Sequence, residues 1–287
     1  MVMRQVQRLL AVAVVAAGLG MAAGCGCGKV LRKADATTVE WFLVIDASYS
    51  VPPQALERYK TELARDSVLC RLRPGETVHV MVMDSDPYDD VRAFPIAQGS
   101  PRDVLKQELD IYQHVKSIKR RPQTERGTNF GEAINYLKEK IAYAEETRQK
   151  RMKTGEQPPS LPTYVMVMLT DGVAEGWQVE GVGGLPKNVE VRIWFCGISP
   201  WSENDPQAKK LRTLLSKDYP NLKGRQLKDL VECSLRDHCR KLGLADVNVR
   251  PYAHSDWVQD FLADLHRDQD AATLKGLTAG HLVEEGY

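Results

Sequence analysis

Three short stretches carry oxygen donors with no histidine or cysteine among them: Asp46-Ala47-Ser48-Tyr49-Ser50, Gly127-Thr128-Asn129 and Leu169-Thr170-Asp171-Gly172. Such groups suit a hard cation. Magnesium asks for about six oxygens in a near-regular octahedron at roughly 2.0–2.1 Å and keeps several waters. Two serine hydroxyls at alternate positions of a tight loop can point the same way. A threonine hydroxyl from a second loop adds a third oxygen, and two aspartates balance the charge. With nitrogen and sulfur donors left out, zinc and copper fit poorly. The candidate ligands are therefore Asp46, Ser48, Ser50, Thr128 and Asp171. The competing reading is that these loops merely cap helices, Ser50 ahead of Pro52 and Thr128 at a helix start.

Elements that could position these residues are legible on either side of them. Val39 to Ile45 is a near-continuous apolar run ending at an acid, the pattern of a central strand buried on both faces. Pro52-Pro53 opens a helical stretch with Leu56, Tyr59 and Leu63 on one side. Thr77 to Met83 reads as a second strand and Val91 to Ala97 as an edge strand. Val104, Leu105, Leu109, Tyr112 and Val115 mark a helix, and Phe130, Ala133, Ile134, Leu137, Ile141 and Ala144 another. The polar, Gly/Pro-bearing segment from Thr147 to Pro162 reads as a surface loop after a fraying helix end. Tyr164 to Leu169 and Val189 to Cys196 follow as buried strands. Lys209 to Leu215 and Leu227 to Leu242 read as helices, Val247 to Pro251 as a last strand and Trp257 to Leu265 as a closing helix. Alternation of this kind predicts an α/β fold, a mostly parallel sheet with helices on both faces. In such a sheet ligands sit beyond the carboxyl ends of the strands, where strand order reverses. Loops after the first and fourth strands could meet there.

Asp-x-Ser-x-Ser after the first strand, a Gly-Thr helix opening and Thr-Asp-Gly after the fourth strand, in that order, resemble the metal-ion-dependent adhesion site of von Willebrand factor A domains. The likeness is strong over residues 38–200 and carried by secondary-structure pattern alone over 200–268. It implies a doubly wound, mostly parallel, Rossmann-like sheet with one antiparallel edge strand. It also implies that Ser48 and Ser50 coordinate Mg2+ or Mn2+ directly and that Thr128 joins when a ligand binds. Asp46 and Asp171 would hold coordinated waters or bind directly. A partner protein's Asp or Glu carboxylate would fill the open position.

The start of the chain points to a compartment. Arg4 and Arg8 precede the apolar run Leu9 to Ala23, and the small residues Ala22-Ala23-Gly24 lead to Cys25. Residues 1–24 read as a signal peptide, since the run is shorter than the roughly 20 residues a membrane span needs. Ala-Ala-Gly-Cys resembles the bacterial lipobox, which implies a lipid on Cys25 and a membrane-anchored, extracytoplasmic envelope protein; plain secretion and a retained N-terminal anchor are the alternatives. Residues 25–37 then form a linker, 38–268 the domain and 269–287 a tail. With Cys25 lipidated, Cys27, Cys70, Cys196, Cys233 and Cys239 remain, and five cannot all pair. Cys239 stands six helical positions after Cys233, a rise of about 9 Å, beyond disulfide reach. Their neighbour His238 does not complete a tetrahedral zinc set. Cys70 and Cys196 read as buried structural thiols.

Among the 287 residues, 39 basic and 38 acidic side chains give a net charge of +1, which supplies no global pull toward nucleic acid. Local patches remain. Asp84, Asp86, Asp89 and Asp90 crowd one turn that could hold a second cation or simply be solvated. Lys116, Lys119, Arg120, Arg121 and Arg126 are by default a solvated surface; the sharper reading is a basic rim that favours an acidic ligand. Phosphate-binding, His-Glu-x-x-His and Gly-x-Ser-x-Gly motifs do not occur. The leading expectation is a non-enzymatic binding module. The alternatives are an accessory or assembly subunit of a metal-dependent enzyme complex and a structural envelope protein braced by its metal.

Overall fold

The apolar run from Val39 forms β1 (Val39–Asp46), whose last six residues are buried. Side chains on a strand alternate between faces. Trp41, Leu43 and Ile45 accordingly enter one hydrophobic layer, and Phe42 and Val44 the other. A computed structural model describes residues 38–83, 91–96, 98, 101–122, 128–156, 161–173, 184–186, 189–244 and 249–253. The signal peptide, the linker with Cys25 and Cys27, the acidic turn at 84–90, Arg126, the closing helix and the tail lie outside the described residues.

β1 pairs in parallel with β2 (Thr77–Met83) on one side and β4 (Thr163–Leu169) on the other. β4 pairs in parallel with β5 (Val191–Ile198), and β5 with β6 (Val249–Ala253). β3 (Arg92–Pro95) runs antiparallel along the β2 edge, giving the order β3-β2-β1-β4-β5-β6. Between β1 and β2 the chain forms α1 (Pro53–Arg58), a π-helical turn (Tyr59–Leu63) and α2 (Ala64–Ser67). Tyr59, Lys60 and Leu63 of this turn are all buried, a spacing that places them on one face. With α3 (Pro101–Ser117) these helices cover the first layer. α4 (Phe130–Lys153), α5 (Pro206–Asp218) and α6 (Leu227–Lys241) cover the second with Phe130, Ile134, Leu137, Ala208 and Val231. This is the doubly wound, mostly parallel, Rossmann-like α/β architecture with one antiparallel edge strand.

Three sequence expectations are corrected. Leu105 and Leu109 are 65% and 53% exposed; α3 instead buries Val104, Ile111 and Val115. The segment from Thr147 is helical as far as Lys153, because α4 continues through it. The Glu146–Lys150 pair at 2.7 Å and the basic residues of its last turn suit a helix C-terminus. Cys70 is exposed, whereas Cys196 is buried as expected. All four described cysteines, Cys233 and Cys239 included, are thiols rather than disulfide partners.

Tyr164 yields a stability test. Its side chain is fully buried on the Phe42 face, and its hydroxyl has no hydrogen-bond partner among the described residues. Burial, then the charges of Glu40 and Glu145, push its phenol well above 10.0. The folded state therefore holds this proton more tightly than the unfolded chain. The corresponding stability is fully present below about pH 10 and drains away as pH rises toward the folded value. Tyr164→Phe is expected to raise neutral-pH stability by about 1 kcal/mol, since it removes a stranded buried hydroxyl. It should also blunt the alkaline loss. Urea unfolding at pH 7 and at pH 10.5 checks both; a less stable variant at pH 7 refutes the assignment.

Candidate metal centre

β2 lies on one side of β1 and β4 on the other, so strand order reverses between β1 and β4. Asp46 ends β1, and Thr170 and Asp171 directly follow β4. The two loops meet across that crevice. Thr170 Oγ1 donates to Asp46 Oδ2 at 2.7 Å, while Thr170 also accepts from the Gly172 N–H at 3.1 Å. The other oxygen of Asp46 accepts the Ser48 N–H at 3.0 Å, which curls the loop back on the strand end. Asp171 Oδ1 accepts the Val173 N–H at 2.8 Å in the same manner. Asp46, Ser48, Ser50, Thr128, Thr170 and Asp171 are all buried, none more than 7% exposed.

The two serine hydroxyls face each other, with Ser48 Oγ and Ser50 Oγ 2.9 Å apart. Neither serine caps the helix that follows: the cap position is Pro52, without a side-chain hydrogen bond. Nor does Thr128 cap α4. That task falls to Asn129, whose Oδ1 accepts the Glu132 N–H at 3.2 Å. The cap positions of both helices are thus held by Pro52 and Asn129 rather than by these hydroxyls. Hydrogen bonds join Asp46 to Ser48, Ser48 to Ser50 and, through Thr170, Asp46 to the Asp171 loop. Thr128 is buried immediately before that cap.

Other groups hold the loop from outside. Ala47 N–H donates to Met83 O at 3.2 Å and Ala47 O accepts the Arg121 N–H at 2.8 Å, tying the loop to β2 and to the segment after α3. Gln207, in the first turn of α5, donates through Nε2 to Ser50 O at 3.1 Å. Arg120 donates through Nη2 to Tyr49 O, and its guanidinium lies 4.5 Å from the centroid of the Tyr49 ring. Lys60 Nζ donates to Ile118 O at 3.0 Å and so fixes the approach to that segment. Below the site, the fully buried Tyr59 donates to Gly197 O at 2.9 Å. Its phenol is held far above its usual range by burial first and then by Asp171 and Asp46, so both carboxylates project their field onto the same ring. Thr170, Tyr59, Gln207 and the Arg120–Tyr49 contact were not assigned a role from sequence. Only Thr170, sitting in the Thr-Asp-Gly step, carried a local signal.

The donor set fits a hard divalent cation. Ser48 and Ser50 share a hydrogen bond of 2.9 Å, and neighbouring ligands at roughly 2.0–2.1 Å in an octahedron stand about the same distance apart, so the pair could turn to one ion without moving apart. Among the described residues no group of three or more His, Cys, Asp and Glu side chains gathers. The set here is of another composition, two carboxylates and three hydroxyls.

No protein-family model matches the sequence, and no curated protein matches it either. Among solved structures, the chain is similar to an aerotolerance-related membrane protein from Bacteroides fragilis NCTC 9343 bearing multiple mutations to serines. That match has 19% identity over 56% of this chain and 67% of that one, with a TM-score of 0.30. It is also similar to the pilus adhesin SpaC from Lactobacillus rhamnosus GG in its open conformation, with 14% identity over 72% of this chain and a TM-score of 0.31. The aligned region spans 30% of the adhesin. Strand order and pairing carry the fold assignment by themselves.

Proposed function

We propose that this chain is a binding module whose Asp46–Ser50 loop holds Mg2+ or Mn2+ and whose protein partner supplies an Asp or Glu carboxylate to the open coordination position. The observation that carries it is the buried pair Ser48 Oγ and Ser50 Oγ, 2.9 Å apart at the strand switch point beside Asp46. Ser48 and Ser50 would hold the ion directly and Thr128 would join them. Asp46, both of whose oxygens already accept protein hydrogen bonds, would act through water, as would Asp171. When bound, the ion supplies a concentrated positive charge that hydroxyl ligands neutralise little, so an anionic oxygen is the natural sixth group. The module works outside the cytoplasm, held at the membrane by lipid on Cys25. Among the described residues no helix is long and apolar enough to cross a membrane.

The test compares the full-length protein in Mg2+ and in chelator. An ion present at 100 times its dissociation constant adds about 2.7 kcal/mol to stability. For a domain of this size that raises the melting temperature by roughly 5–10 °C. Partner capture from envelope extracts should follow the same dependence. Identical melting and identical capture under both conditions sink the proposal; a shift in melting with unchanged capture leaves the metal but removes its role in binding.

A further inference from the structure

The guanidinium of Arg120 is held against Tyr49 in the loop that carries the two serines. Tyr49 lies between Ser48 and Ser50, and Arg120 is anchored to it twice, by a hydrogen bond to its carbonyl and by the cation–ring contact at 4.5 Å. Consecutive alpha carbons are about 3.8 Å apart, so that anchor lies one residue from each of the two hydroxyl-bearing positions. Tyr49 is 45% exposed, so this contact lies at the surface. An arginine has five N–H donors in a rigid fork, and one of them goes to Tyr49. Arg120 Nε is itself buried, so the donors left for a partner are those of the two terminal nitrogens not given to Tyr49. The six residues from Lys116 to Arg121 carry four cations and no acid, with Lys119 exposed beside Arg120.

We infer that Arg120 selects the partner: the site takes an acidic peptide segment in which a second carboxylate, close to the one offered to the metal, meets the Arg120 fork. This rests on the metal-dependent reading above. Lysine would be a poor substitute, because a point charge cannot match a carboxylate bidentately or stack on Tyr49 in the same way. A single carboxylate on the ion would leave the fork unused.

The test uses the full-length protein saturated with Mn2+ and two fluorescent peptides. One has a single Asp among neutral residues; the other has a second Asp two positions later. The wild type is expected to bind the two-acid peptide about tenfold more tightly, the size of a charge-assisted hydrogen bond. Arg120→Gln should bring that ratio to near one, Arg120→Lys should leave an intermediate ratio, and Lys153→Gln, an exposed cation in the last turn of α4, should keep the wild-type ratio. Equal binding of both peptides by the wild type overturns the proposal. So does Arg120→Gln weakening both peptides alike, the signature of a loop brace. If the wild type takes no Mn2+ in an electron paramagnetic resonance titration, the metal reading itself fails; if it takes Mn2+ but binds neither peptide, only the carboxylate capture and this selectivity fail.

Discussion

Replacing Asp171 by Asn is expected to weaken Mg2+ or Mn2+ binding by about 10- to 100-fold, the range seen when a group that orients a metal's ligands is altered. The metal-free variant should nonetheless melt at or above the wild-type temperature. Asp171 Oδ1 accepts the Val173 N–H at 2.8 Å, and an amide oxygen can keep that bond, so the turn after β4 survives. What is lost is charge. Asp171 and Asp46 are both fully buried and both push the Tyr59 phenol up, so their fields overlap in a region shielded from bulk water. Two like charges in such a place destabilise each other unless a cation lies between them. Neutralising one relieves the metal-free state and impoverishes the metal-bound one. Asp46→Ala should behave differently. Truncation strands the Ser48 N–H and the Thr170 hydroxyl, which Asp46 accepts at 3.0 and 2.7 Å. A buried donor left without an acceptor costs about 1–3 kcal/mol, so this variant should lose both the ion and several degrees of metal-free stability. Mn2+ titration and melting with and without chelator separate the cases. Wild-type Mn2+ affinity in Asp171→Asn refutes a metal centre at this position.

The part of this site that could be read in the sequence is the part whose chemistry is local. A strand buried on both faces must be apolar throughout, so the first acid after Val39–Ile45 marks the strand end, and Ser48 and Ser50 follow at fixed spacing. Thr128 and Asp171 were recognisable because each sits at an element boundary. The supports were not, since each depends on a residue remote in sequence. Thr170 meets Asp46 across 124 positions, Arg120 meets Tyr49 across 71, and Gln207 meets Ser50 across 157. The same limit explains the misjudged face of α3. Leu105 and Leu109 are as apolar as Val104 and Ile111, and only the packing of α3 on the β1 layer decides which row turns inward. Cys70 is a similar case, because residue type says little about depth where the chain shortens into a 3-10 turn at Leu69–Arg71. Helicity past Thr147 was hidden by polar composition, although the Glu146–Lys150 spacing was there to be counted.

Gly197→Ala is expected to produce the largest loss of stability of any conservative change near the site. Gly197 lies at the irregularity in β5 where the register with β6 shifts between Cys196 and Ile198. Its φ is +86°, in the left-handed region that an alanine adopts at a cost of about 1–2 kcal/mol. A Cβ there would stand 2.5 Å from Tyr59 Cε1 and 3.3 Å from Leu63 Cδ1. Neither neighbour can yield easily. Both are fully buried in the π-helical turn, and the Tyr59 hydroxyl is bonded to the Gly197 carbonyl itself. Overpacking of this kind adds about 1–3 kcal/mol. The sum is about 2–5 kcal/mol, or roughly 4–20 °C in melting temperature for a domain of this length. Because Tyr59 also lies within the field of Asp46 and Asp171, pushing it aside should weaken cation binding as well. The mechanism has a signature beyond the loss itself. Tyr59→Leu removes the atoms that clash, so the double variant should lose about 1–2 kcal/mol less than the sum of the two single losses. Urea unfolding of all four proteins measures that coupling. Strict additivity, or a Gly197→Ala protein melting within about 2 °C of the wild type, would show that Tyr59 does not press on Gly197 as this packing requires.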